Sequence, residues 1–493
     1  MDLGNLQSIA FSAPELILIA TAILIFLADL VVRQKEQLGA LALFGCAGAL
    51  IASIGLRMPF SDRWLVQGLF GWGEGWLYSR MVIVDDFAVF FKLLFALAAF
   101  VTIWMSLGSR EVQDGDEGEY YGLVLASTVG LFYMASAANL LMAYLALELV
   151  SLTSYVLTGY LRRNRRSGEA ALKYLIYGGV SSAVMIYGMS WLYGLAGSLD
   201  YQKLNATVLH GHVEPLTVFV AIVLVLAGLG FKITAVPFHM WAPDAYQGAP
   251  IPVTAFLSVG SKAAGFAMMI RLFYPGLSAP AVGDGGGWTF LAGADWPQLM
   301  LVLCMATMTL GNLAALGQEN VKRLLAYSSI AHAGYTLMGF VVLNDAGLRA
   351  MLFYLITYYL MNLGAFLVVM VVANSTGRED LDGYRGLAWR GGAVPAVAMA
   401  IFLFSLAGIP PLAGFVGKFY LFAAVVEQRY YLLAAVGFAN TLVALYYYVR
   451  IIRTMFLDQP RGDEGVVALD THNAFLLYFL AIPTLVLGIY WAP

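Results

Sequence analysis

The sequence predicts an all-α integral membrane protein of about fourteen transmembrane helices, with two inverted five-helix repeats that each contain a discontinuous helix. Three observations predict this. Hydrophobic residues make up 61% of the chain and charged residues only 12%, whereas soluble proteins carry roughly twice as much charge. Apolar runs of about 20 residues, the length that spans a bilayer, recur from Pro14 to Tyr490. A shift of 180 residues also aligns two halves of the chain.

The expected spans lie at about 13–32, 38–56, 86–107, 119–136, 138–160, 169–195, 214–235, 251–274, 298–317, 321–342, 347–373, 393–425, 430–456 and 473–491. They divide into an N-terminal three-helix segment (1–118), a first repeat (119–297), a second, inverted repeat (298–457) and a C-terminal transmembrane helix (458–493). The repeat rests on matched motifs. Tyr155-Val-Leu-Thr-Gly-Tyr160 aligns with Tyr335-Thr-Leu-Met-Gly-Phe340, Leu172–Ile176 with Leu352–Ile356, and Leu226-Ala-Gly-Leu229 with Leu406-Ala-Gly-Ile409. The offset covers five spans, and an odd number turns one copy over in the membrane. The seventh and twelfth spans are expected to break. One runs into Pro237 and the other contains Gly408-Ile-Pro-Pro-Leu-Ala-Gly414, and proline removes a backbone donor and clashes with the preceding turn. Inverted repeats with matching broken helices are a transporter signature.

Basic residues set the expected orientation. With both termini outside, inside loops receive fifteen Lys and Arg, with the Arg162–Arg166 cluster as the strongest anchor, and outside positions receive seven, Arg57, Arg63, Arg80, Lys203, Arg271, Arg349 and Arg429. Lys322 and Arg461 count among the inside residues, and the acidic loop Asp114–Glu119 argues neither way. No cleavable signal is expected, because Asp2 is the one charge in Met1–Ala13. A net charge of −3 without a basic domain argues against nucleic acid. Cys46 and Cys304 lie in separate spans with neither disulfide nor metal-ligand spacing. His210-x-His212 is a weak metal signal. Neither a Gly-rich phosphate loop nor a Cys cluster is present, so redox chemistry would belong to a partner.

Five lysines remain inside spans: Lys92, Lys173, Lys232, Lys262 and Lys418. At roughly 2.5–3.5 kcal/mol each, unpaired, they would cost on the order of 10–15 kcal/mol. Lys92, near a span start, is expected to snorkel. Lys232, Lys262 and Glu148 have apolar sequence on both sides and are expected to act. Free lysine has a pKa of about 10.4; desolvation lowers a buried lysine and a nearby carboxylate raises it again. A lysine with a carboxylate partner can thus be loaded and unloaded, and Lys232 with Glu148 is the expected pair. Glu148, Ser151, Tyr155 and Thr158 share one helical face. They suit a hydrated path, or hydroxyls bonded to their own helix. Glu169 and Lys173 form an i,i+4 pair that suits a relay or a simple helix-start ion pair. His332 titrates in the right range for a relay, and also suits polar packing. His239, after Pro237, suits an exit or a structural position.

Phe231-Lys-Ile-Thr-Ala-Val-Pro-Phe-His-Met-Trp-Ala-Pro-Asp-Ala-Tyr246 resembles the broken seventh helix of the antiporter-like membrane subunits of respiratory complex I. The start Ala13-Pro-Glu-Leu-Ile17, the stretch Lys322–His332 and the stretch Ser405–Tyr420 resemble the subunit N branch of that family in bacterial NADH–quinone oxidoreductase. The lack of a long lateral helix after the last span also favours that branch over subunit L. The resemblance implies a proton-translocating unit, with Glu148, Lys232, Lys262 and Lys418 at family proton-carrying positions and Lys173 at a further matching position of the relay. It implies no cofactor in this chain, and FMN, iron–sulfur clusters, NADH and quinone in partner subunits. It also implies contact with subunit M, small membrane subunits and membrane lipids, in a bacterial inner membrane with both termini on the periplasmic side. Two other readings are a subunit of a multisubunit cation/proton antiporter and a non-conducting structural subunit.

Overall fold

A computed structural model describes residues 5–33, 35–56, 75–113, 117–211, 213–281, 287–290, 295–460 and 465–490. Arg57, Arg63, Asp114, His212 and Arg461 lie outside the described residues.

The chain opens with α1 (Asn5–Phe11), α2 (Ala13–Asp29), α3 (Glu36–Gly55) and a short hairpin, β1 (Trp76–Leu77) with β2 (Val82–Ile83). It continues through α4 (Asp86–Leu107), α5 (Arg110–Gln113), α6 (Glu117–Ser136), α7 (Leu140–Thr158), α8 (Arg165–Ala196), α9 (Tyr201–His210) and α10 (Pro215–Ile233). Next come α11 (Ala242–Gly248) and α12 (Ile251–Phe256), which passes through a π-helical turn, Leu257–Ser261, into α13 (Lys262–Leu277). A second hairpin, β3 (Ser278–Pro280) with β4 (Trp288–Phe290), precedes α14 (Trp296–Leu316), α15 (Val321–Val341) and α16 (Asp345–Thr376). The last helices are α17 (Ala393–Ala407), α18 (Ala413–Glu427), α19 (Tyr431–Phe456) and α20 (Thr471–Ile489).

Helix starts follow local chemistry. Asp85, Asn139, Asn320 and Asn344 each accept a backbone N–H of the first turn with a side-chain oxygen, at 2.7–3.0 Å. α8 and α16 are each 32 residues long, start after an asparagine cap and end on a left-handed glycine, Gly197 or Gly377. Loops at the two ends cross-link. The Leu140 N–H donates to the Leu199 carbonyl at 2.9 Å, and the Val321 N–H to that of Glu379 at 2.8 Å. The first contact lies at the end remote from Arg162–Arg166, the second at the arginine end.

Among the described residues, ten helices are long and apolar enough to cross a membrane, or up to eleven if the bent pair Leu381–Trp389 and Ala393–Ala407 is one span. Each of the other expected spans coincides with helix but misses that mark for a physical reason. α2 has 17 residues, α6 carries Glu117 and Glu119, α15 carries Lys322, Arg323 and His332, and the twelfth stretch is cut into α17 and α18. The α12–α13 helix is 100% buried over its apolar window and α16 is 94% buried, so these two form the centre. α2, α7 and α8 present exposed Ile23, Leu27, Leu152, Val156 and Val180 at the periphery.

Candidate functional site

The expected break after α10 is present. The helix ends at a left-handed Thr234 (φ 61°), and the peptide Val236–Pro237 is cis. The Trp241 indole donates to the Phe231 carbonyl at 3.1 Å and stacks on Tyr174 at 4.0 Å, holding the chain after the break against the helix before it. Lys232 therefore occupies the last turn of α10, where a cation complements the exposed carbonyls. It is 1% exposed, and its ammonium donates to Ser151 Oγ at 3.2 Å.

Glu148 lies one turn before Ser151, half-buried, and accepts from Ser182 of α8. The ammonium's hydrogen bond goes to Ser151, one turn on from Glu148, rather than to the carboxylate itself. Ser151 and Thr158 also bond their own helix, to Leu147 and Ser154 carbonyls, as polar residues in apolar helices do.

Lys262 opens α13 directly after the π turn, an irregularity frequent at functional sites. It donates to the Ser329 carbonyl at 2.7 Å and to the Ser329 hydroxyl. α13 lies against Lys232 because Gly265 leaves room; a methyl group there would sit 3.2 Å from Lys232 Cγ.

α15 carries the polar line onward. His332, one turn beyond Ser329 and 2% exposed, is held through Nδ1 by the Tyr354 hydroxyl at 2.6 Å and through Nε2 by the Tyr448 hydroxyl at 3.1 Å. One turn further, the Tyr335 ring lies 4.5 Å from the Lys418 ammonium. Lys418 also donates to the carbonyls of Leu406 (3.0 Å) and Ala407 (3.2 Å), freed where α17 ends at left-handed Gly408. The second break, like the first, contains a cis peptide, Pro410–Pro411.

Lys173 stands apart from this line. It is 41% exposed at the arginine end and pairs with both Glu169 and Asp244 at 2.8 Å. Asp244 is shared with Arg323, and a cavity of about 180 Å³ opens beside the group. Burial pushes the Asp244 carboxyl up, but the hydrogen bonds from Lys173 and Arg323 outweigh it and hold it below the usual carboxylate range. His239 is buried close to the cis proline, Pro237.

Three buried charges were not anticipated. Lys92 does not snorkel: it lies 2.7 Å from Glu15, both side chains 1% exposed. Arg271, expected outside, is buried against Asp85. Lys322, expected in an inside loop, is buried against Glu379 at 2.9 Å and the Ala249 carbonyl at 2.8 Å. The one available signal was a carboxylate in apolar sequence, Glu15 in Ala13-Pro-Glu-Leu-Ile17. Pairing across helices has no sequence signature.

Residues 137–444 match the family model described as NADH:quinone oxidoreductase/Mrp antiporter, TM. The chain is 46% identical to NADH-quinone oxidoreductase subunit N of Anaeromyxobacter sp. over 99% of its own length and 95% of that relative's. It belongs to the NADH-quinone oxidoreductase subunit N family. Its fold matches a chain of respiratory complex I from Thermus thermophilus with bound Aureothin, at a TM-score of 0.77 and 31% identity, over 97% of each chain. The Mrp complex from Dietzia sp. DQ12-45-1b contains a chain with the same fold at a TM-score of 0.81, with 21% identity over 99% of this chain and 95% of that one. Family membership accounts for a multi-pass, antiporter-like membrane protein.

Proposed function

We propose that this chain is a proton-translocating membrane subunit of NADH–quinone oxidoreductase, moving protons through a buried Lys/Glu relay while quinone oxidises NADH elsewhere in the complex. One observation carries the reading: three lysines, 1%, 3% and 4% exposed, each sit at a helix interruption. Lys232 ends α10, Lys262 follows the π turn, and Lys418 caps the broken end of α17. Such interruptions leave carbonyls that receive a charge in a medium without water.

Ser151, Ser329, His332 and the Tyr354 and Tyr448 hydroxyls supply polar steps between them. The buried Thr234 hydroxyl has no protein partner among the described residues. Polar groups this deep are almost always hydrogen-bonded, and water is the partner of the right size. In this reading Glu148 and Lys232 load at one end, Lys262 and His332 relay, and Lys418 releases. Lys173 with Asp244 forms a charged group at the arginine-end mouth.

Fourteen spans in two inverted five-helix repeats fit this role. The caps and ends of α8 and α16 recur at the 180-residue spacing, Asn164 with Asn344 and Gly197 with Gly377. The bounds 119–297 and 298–457 place one of these two helices in each repeat. The chain itself holds no cofactor in this reading; FMN, iron–sulfur clusters, NADH and quinone belong to partner subunits. Its neighbours are subunit M, small membrane subunits and lipid, in a bacterial inner membrane with both termini outside.

The test is Lys232→Met in the assembled complex. NADH-driven proton uptake into vesicles should fall while the subunit stays in the complex; wild-type pumping per NADH would defeat the relay. Membership of a cation/proton antiporter complex is the second reading, favoured by the shared fold with the Dietzia chain. Sodium-coupled proton movement without NADH oxidation would select it.

A further inference from the structure

Two ion pairs lie on α4 or at its cap, two turns apart and on the same side of the helix. Their surroundings differ. Arg271 donates through Nη1 to Asp85 at 2.6 Å, through Nη2 to the other Asp85 oxygen, and through Nε to the Ala135 carbonyl at 2.8 Å. Asp85 meanwhile caps the Ala88 N–H at 2.8 Å. Each polar atom of that pair with an assigned role is satisfied, as a structural clamp requires.

Glu15 and Lys92 are buried as deeply, with side chains 1% exposed, yet they are not satisfied. The ammonium lies 2.7 Å from Oε1 but out of line for a hydrogen bond. Neither Lys92 Nζ nor Glu15 Oε2 has a hydrogen-bond partner among the described residues. A buried ion pair repays its desolvation only with good geometry and additional hydrogen bonds. This one lacks both, so stability does not account for it. Water is the remaining partner for the spare oxygen and N–H groups.

The pair has polar groups on the side towards the nearest surface. Glu15 is in the first turn of α2, and Lys92 is about 9 Å along α4 from its start at a rise of 1.5 Å per residue. Both helices start at the end remote from the arginine cluster. One turn before Glu15, the buried Ser12 hydroxyl donates to the Ser8 carbonyl at 2.9 Å and accepts from half-buried Tyr78 at 2.9 Å. On its inner side α4 packs against α12 and the π turn that leads to Lys262. The pair lies outside residues 137–444 that match the family model.

We propose that Glu15 and Lys92 form a hydrated proton-exchange site in the N-terminal segment, opening past Ser12 and Tyr78 to the surface remote from the arginines. A proton delivered by internal water binds Glu15 Oε2, giving a neutral carboxylic acid beside the Lys92 ammonium. Its loss to water at that surface restores the carboxylate and the ion pair. The proposal rests on the proton-translocating reading given above.

The experiment compares Glu15→Gln, Lys92→Met, the double variant and Lys232→Met, each in intact complex in proteoliposomes. NADH oxidation, proton uptake per NADH and subunit content are measured together. Each single variant leaves a buried group without its counter-charge, which costs stability on its own; the double variant removes both charges. The expected result is that the double variant assembles and oxidises NADH but pumps at least one-fifth fewer protons per NADH. It should also lack a carboxyl band, seen in wild type, in the NADH-induced infrared difference spectrum. A double variant that pumps at the wild-type ratio with an unchanged spectrum, while Lys232→Met pumps less, overturns this proposal alone. Unchanged pumping in both variants overturns the translocation reading itself. If the double variant does not assemble, Glu15→Asp in the intact complex decides: a shifted carboxyl band supports the site, and an unshifted spectrum overturns it.

Discussion

Arg271→Met should be among the more damaging single changes outside the lysine line, and its cost can be worked from contacts. Arg271 is 3% exposed and supplies Asp85 with both of its charged hydrogen bonds, while its guanidinium lies 4.5 Å from the Phe87 ring centroid. Removing it leaves Asp85 buried with only the Ala88 N–H as partner. Breaking a buried pair from one side costs about 3–5 kcal/mol, because the remaining charge is uncompensated, whereas replacing both partners is often nearly neutral. At 1.4 kcal/mol per tenfold, the single change lowers the folding equilibrium by roughly 10²–10⁴. The double variant Asp85→Asn with Arg271→Met should recover most of that, since asparagine keeps the helix cap. Graded SDS denaturation of the detergent-extracted complex, followed by tryptophan fluorescence, measures both. The reasoning fails if single and double variants unfold at the same SDS fraction.

Three further outcomes follow from the same geometry. Lys418→Met strips the donor from the Leu406 and Ala407 carbonyls, so proton uptake per NADH should fall with the complex still assembled; pumping at the wild-type ratio would contradict the release role. Ser329→Ala removes one of the two acceptors of Lys262 and keeps the carbonyl. It should slow pumping several-fold, less than Lys262→Met does, and equal losses would show that the hydroxyl carries the whole effect. Because its partners hold the Asp244 carboxyl below the usual range, its contribution to stability is complete above the unfolded value of about 3.9 and is lost as pH falls through the lower folded value. Asp244→Asn should therefore narrow the stability difference between pH 7 and pH 3, read as a smaller shift in denaturation midpoint; an unchanged difference would exclude Asp244 as its source.

Much of the fold was legible along the chain because its signals are local. Apolar length marks spans, Asn and Asp mark helix starts, and Pro237 and Gly408-Ile-Pro-Pro411 mark breaks; each acts within a turn or two of itself. A helix occupies each expected span, although four of those stretches are too short, too polar or too broken to meet the crossing criteria. Lys232, Lys262 and Glu148 stood out for the same reason: a charge with apolar neighbours on both sides is costly wherever the chain goes.

Pairing was not legible, because a partner is supplied by whichever helix packs alongside. Lys232 was expected with Glu148, and its ammonium's hydrogen bond goes to Ser151, one turn further along α7. Lys92 was expected at the membrane surface, but α2 brings Glu15 to it and makes burial possible. Arg271 and Lys322, counted as loop charges, are drawn inward by Asp85 and Glu379. The sequence by itself determined the membrane class, the broken helices and the identity of the costly lysines, because desolvation depends on the residue and its neighbours along the chain. Only the tertiary structure decided that Ser329, His332 and Tyr335 form one stripe of α15 joining Lys262 to Lys418, because hydrogen bonds act over about 3 Å and the groups that meet come from α13, α15, α16, α18 and α19.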